Sequence, residues 1–154
     1  MQLLELTSAE MAFLAPPLAA SGSLEGRLTR KLAATLSARL RLPVHLAAHL
    51  VDAPAEAPAL PHWLPDAAMA TLWLTRRLGG QHVMGATVFV PPTLIHTLDA
   101  ALAECWLGAK APATLPSAMT WHITADGTRA TLAVQLPHHT IDMTRWAREV
   151  IRHA

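Results

Sequence analysis

The sequence predicts a single α+β domain: a mostly antiparallel sheet with helices packed on one face. Three observations point there. Leu24, Leu28, Leu32, Leu36 and Leu40 recur every fourth residue, a spacing that keeps them on one side of a helix. Asp126-Gly127 stands between two runs of alternating apolar and polar residues, and this dipeptide supplies the two positive-φ positions of a tight hairpin turn. A unit made of a β-hairpin running through Pro into an amphipathic helix is read twice, over residues 69–106 and 119–153. A shift of 46 positions lays Val88 on Val134, Val90 on Leu136, Pro91 on Pro137 and Ile95 on Ile141. Stacked arrays need three or more copies, so two copies predict one pseudo-symmetric domain.

Residues 1–22, with Ala15-Pro16-Pro17 and Ser21-Gly22-Ser23, read as a loosely held lead-in, and the folded domain is expected over 23–154. Ser23 is placed to cap the leucine helix, Ala33 and Leu42 widen its apolar face, and Pro43 stops it. Val44 to Leu50 alternates loosely, as an edge strand does. Residues 52–66 hold Pro54, Pro58, Pro61 and Pro65, which predicts a loop without regular structure. Met69 to Thr75 is read as a strand, turning at Gly79-Gly80 into a second strand that ends at Val90. Pro91-Pro92 then starts a helix whose inward stripe is Leu94, Leu98, Ala101, Leu102 and Cys105, with Gly108 at its C′ position.

The third strand sets Met119, Trp121 and Ile123 on one face and Thr120, His122 and Thr124 on the other. The fourth turns Ala130, Leu132, Val134 and Leu136 inward, with Arg129, Thr131 and Gln135 outward. Such one-sided alternation belongs to an antiparallel sheet with one buried face and one solvated or partner-covered face. Met143, Trp146, Ala147, Val150 and Ile151 form the inner stripe of the last helix. Arg145, Arg148 and Arg152 form its solvated outer stripe. The order α–β–ββα–ββα is that of an α+β fold.

Composition narrows the function classes. A chain of 154 residues is one domain with room for a core. It is 52% hydrophobic and only 15% charged, against roughly 25% charged residues in typical soluble domains. That balance predicts apolar surface that stays exposed unless a partner covers it. Net charge is +1 without a basic block, which excludes an electrostatic footprint for nucleic acid. One cysteine, Cys105, rules out an internal disulfide. The acidic start, with Glu5 and Glu10, is not a signal peptide, and no apolar run reaches the ~18 residues of a membrane-spanning helix. A soluble, cytoplasmic protein is expected.

No residue pattern predicts catalysis, a metal or a cofactor. His45 and His49 share a strand face, but no motif supplies a third ligand, and His138-His139 diverge at a helix start. Cys105 lies on an apolar stripe, where a thiol is a small hydrophobe with a raised pKa. No serine stands in a nucleophile elbow, and Gly79-Gly80-Gln81-His82 reads as a hairpin turn with no helix behind it to hold a phosphate. Asp99 and Glu104 fall on roughly opposite sides of one helix. Trp121 and Trp146 fit core positions, whereas Trp63, in the Pro-rich loop, and Trp106, at a helix end, either pack beneath a loop, the commoner outcome, or stand partly exposed as interface anchors.

Three stretches carry a family resemblance. They are Leu28-Thr29-Arg30-Lys31-Leu32 through Pro43-Val44-His45-Leu46, then Gly85 to Ile95 into a helix ending Trp106-Leu107-Gly108, and Ala130 to Pro137 into Thr140-Ile141. Over residues 24–153 the chain resembles the middle domain of the flagellar motor switch protein FliM and the N-terminal domain of SctQ-type C-ring proteins of type III secretion, a CheC-like fold. The resemblance implies a non-enzymatic scaffold in a cytoplasmic ring or sorting platform, held at the inner face of the membrane through a protein complex. Its implied partners are SpoA-domain, rotor or export-ATPase-associated subunits, in a homo- or hetero-oligomer, with neither nucleic acid nor membrane insertion. Trp106, Gly108 and Lys110 are the nearest match to the family's glycine-rich contact loop and, with Trp63, are the partner-binding candidates.

The chain departs from the family in having Gly108-Ala109-Lys110 in place of that loop and only ten residues from Gly108 to Met119, where a helix is expected. CheC-type phosphatases need an acidic residue and an Asn at fixed helical offsets, and this chain has no Asn. No SpoA module follows residue 154, which implies that it resides on a partner or on a longer form of the protein. Two rival readings are a type III secretion chaperone or adaptor, against which the slight positive charge counts, and a small ligand- or metal-binding domain using His45, His49 or His122.

Overall fold

The computed structural model describes residues 23–50, 56–78, 90–108 and 118–154. In chain order they form α1 (Leu24–Leu40), β1 (His45–Leu50), β2 (His62–Pro65), α2 (Ala67–Leu78), α3 (Pro92–Leu107), β3 (Ala118–Ala125), β4 (Thr128–Gln135) and α4 (Thr140–His153). The strands make one antiparallel sheet in the order β1-β3-β4-β2. The helices cover one of its faces, and the architecture is α+β, as the patterning predicts.

Helix α1 starts where expected: the Ser23 hydroxyl accepts the Gly26 N–H at 3.0 Å. All five leucines of its stripe are buried. Arg41 adopts a left-handed conformation at φ 55° to close the helix, and Ser37 Oγ accepts the Val44 N–H at 3.0 Å. The chain therefore turns straight into β1, which is an edge strand as read from the sequence. The β3–β4 hairpin is the centre of the sheet. Asp126 at φ 49° and Gly127 at φ 74° make its turn, with Ala125 paired to Thr128. Met119, Trp121, Ile123, Ala130, Leu132, Val134 and Leu136 all point into the core. Trp121 is anchored there by donating from Nε1 to the Thr29 hydroxyl of α1 at 2.9 Å.

Two expected elements are corrected. The Pro-rich stretch contains strand β2, which pairs Trp63 with Val134 and Pro65 with Leu132. Proline is tolerated there because β2 is an edge strand and its outer side needs no N–H donor. Met69 to Thr75 lies within helix α2 and is not a strand. Asp66 is the reason: its Oδ1 accepts the Met69 N–H at 2.8 Å, while Oδ2 accepts the Thr131 N–H of β4 at 2.9 Å. One carboxylate thus caps the helix and ties its start to the sheet. Met69, Ala70, Leu72 and Trp73 are buried at helical spacing. Among the described residues, the first copy consequently shares only its Pro–helix half with the second. Val90 has no regular structure; the Gly79-Gly80 turn, the strand leading to Val90 and the 1–22 lead-in lie outside the described residues.

Helix α3 begins at Pro91-Pro92, with the Pro91 carbonyl accepting the Leu94 N–H at 3.0 Å. It ends at Gly108, as the sequence predicts, with right-handed geometry, φ −76°. An added Cβ at Gly108 would stand 2.9 Å from the Glu104 carbonyl oxygen, so the close approach selects glycine there. Helix α4 packs on α3, burying Met143, Trp146 and Ala147; Val150 is half-buried and Ile151 is exposed, against expectation.

Candidate functional site

The predicted anchors do not share one surface. Trp63 is 5% exposed, facing the core from β2 with its ring 6.1 Å from that of Trp121. Its Nε1 donates to Asp99 Oδ1 of α3 at 2.9 Å. Trp106 is 3% exposed, and its Nε1 donates to the Thr144 hydroxyl of α4 at 3.0 Å. Of the two readings, packing holds for both indoles, and neither is an exposed interface anchor. Each finds an apolar pocket for its ring and an acceptor for its single N–H, which is how a buried tryptophan is stabilised. Gly108 is exposed at the exit of α3, and Lys110 lies outside the described residues.

The Trp106–Thr144 hydrogen bond joins the last turn of α3 to the second turn of α4. Leu107, Gly108 and Ile141 flank that joint and are exposed, Ile141 to 71%. From Ile141 the positions Arg145, Arg148 and Arg152 continue along the outer side of α4, spaced as one helical stripe, and all three are exposed. The sequence reading of this stripe as a solvated basic face stands; Ile141 at its head was not singled out. Its signal was present, since Ile141 lies off the inner stripe, two residues before Met143.

Titratable groups are dispersed among the described residues. Lys31 of α1 pairs with Glu104 of α3, and this hydrogen bond raises the lysine above its ordinary pKa. Arg76 pairs with Asp126 at 2.6 Å, both well exposed. Asp99 and Glu104 do face different neighbours, as their spacing predicts. Burial pushes the half-buried Asp99 carboxyl above its usual range, against the lowering influence of the Trp63 hydrogen bond and His96. Burial likewise raises the half-buried Cys105 thiol and makes it a poorer thiolate.

The uncovered face of the sheet carries His45 and His49 from β1, His122 from β3 and His62 and Leu64 from β2, all exposed. The β1–β3 register sets His45 opposite Thr124, Ala47 opposite His122 and His49 opposite Thr120. The three histidines of the rival ligand-binding reading are thus brought together on one surface. Among the described residues, no three His, Cys, Asp or Glu side chains are grouped as a metal site. No helix among them is long and apolar enough to cross a membrane.

No family model matches the sequence, and neither does any curated protein. The crystal structure of the FliM middle domain from H. pylori is similar to this chain, with a TM-score of 0.54 and 14% sequence identity, over 86% of this chain and 97% of that one. The chain has the FliM middle-domain fold. At that identity the likeness is one of backbone architecture.

Proposed function

We propose that this chain is a non-enzymatic interaction domain of the cytoplasmic ring of a flagellar motor switch or type III secretion system, where it binds SpoA-domain or rotor subunits. The FliM-like fold is the observation that supports this reading. The α3 exit is its contact region: Leu107 and Gly108 with Ile141 offer apolar surface beside the segment that holds Lys110. Trp106 serves by holding that end of α3 against α4 and does not itself reach a partner; Trp63 belongs to the core. The described side chains also favour a scaffold, because the close polar pairs they form are ion pairs and structural hydrogen bonds.

The test is reconstitution. The full chain is co-expressed with the SpoA-domain and rotor subunits encoded by the same genome, and the mixture is resolved by size-exclusion chromatography with light scattering. A stable complex that is weakened by Ile141→Asp, with the variant folding normally by circular dichroism, supports the assignment. Failure to bind every such subunit at micromolar concentration overturns it.

A further inference from the structure

Two imidazoles touch on the open face of the sheet. His49 and His122 come from adjacent antiparallel strands and sit diagonally, two positions out of direct register. Diagonal neighbours on one face of a sheet are within reach of each other when their side chains are long or aromatic. Here the rings meet edge-on, with centroids 4.6 Å apart and planes inclined at 72°. Both residues are exposed, and no helix among the described residues covers them.

We propose that His49 and His122 form a two-histidine site for a transition-metal dication, with copper(II) as the preferred ion. With metal–nitrogen bonds of about 2.0–2.1 Å, a bound ion lies roughly 3.2 Å from each ring centre, so two imidazoles at right angles have centres about 4.5 Å apart. A tetrahedral angle would open that separation to about 5.2 Å. The observed 4.6 Å brings both rings within reach of one ion, and copper stands highest in the affinity series for divalent ions. Both histidines are exposed, so water can fill the remaining coordination positions. Binding requires both imidazoles to be neutral, so acid competes with the metal. An ion held here links β1 to β3 only in the folded sheet, and thereby stabilises the edge strand. The inference rests on this strand pair and is independent of the ring-assembly reading.

The experiment titrates copper(II) chloride into the full chain by calorimetry, with electron paramagnetic resonance on the one-equivalent complex. Binding of one ion with two-imidazole nitrogen coupling is expected, along with a rise in melting temperature. His49→Ala and His122→Ala should each weaken binding at least about tenfold, the loss that even an outer-shell change produces, and abolish the melting shift. Both variants should keep the metal-free melting temperature of the parent. His62→Ala, which removes an exposed histidine at the opposite sheet edge, should bind as the parent does. Parent-like affinity in both of the first two variants, or an equal loss in His62→Ala, overturns the proposal.

Discussion

Trp63 Nε1 donates to Asp99 Oδ1 at 2.9 Å and so fastens strand β2 to helix α3 across 36 positions of chain. The bond gives a Pro-rich edge strand a fixed place over the core, and it gives a half-buried carboxyl a partner. Asp99→Ala leaves the buried indole N–H without an acceptor, and a loss of about 1–3 kcal/mol in urea denaturation is expected.

The same pair predicts a pH dependence. Burial holds the Asp99 pKa above its ordinary 3.8, so the fold favours the protonated form. Its contribution to stability is then fully present below the unfolded value and is lost as pH rises through the folded one. Asp99→Asn keeps an acceptor for Trp63 and does not titrate. Between about pH 3 and pH 7 its melting temperature should rise relative to the parent. A gap that stays constant or moves the other way refutes this.

Asp66 offers a second test, because its two oxygens hold α2 and β4 at once. Asp66→Ala should cost at least about 1–2 kcal/mol, the upper range for a helix cap. Asp66→Asn keeps one acceptor but turns an amide toward the other N–H, and should fall between the two in denaturant titrations.

At the β3–β4 turn, Gly127 has φ 74° and open space where a Cβ would be. The cost of Gly127→Ala is therefore one of backbone conformation, about 1–2 kcal/mol. Gly127→Asn should lose less, since asparagine tolerates this region. Equal losses in thermal melts would show that the side chain meets an obstacle.

Core and surface leucine-class positions should separate sharply. Leu36, fully buried in α1, should cost about 2–5 kcal/mol as Leu36→Ala. Ile141→Ser, at a site 71% exposed, should stay within about 0.5 kcal/mol of the parent in the isolated protein.

The sequence by itself determined the elements whose signal is local. The five-leucine stripe with its Ser23 cap, the Asp126-Gly127 turn, the alternation of β3 and β4 and the Pro-led starts of α3 and α4 each depend on contacts within a few residues. Periodicity and capping report such contacts directly. The α+β class and the FliM-like layout follow from those same elements.

Tertiary structure decided what depends on distant partners. Residues 62–65 become a strand because β4 offers a ladder, and 67–78 become a helix because Asp66 is held by Thr131, 65 positions on. In isolation, four residues ending in a proline form no strand, and Met69 to Thr75 satisfies a period of two as readily as one of 3.6. Trp63 and Trp106 were legible as large amphipathic side chains, but their burial waited on acceptors from Asp99 and Thr144. The same holds for the candidate sites. Gly108 could be placed at a helix exit from sequence, whereas the meeting of His49 and His122 depends on a strand register that is set only when the whole sheet forms.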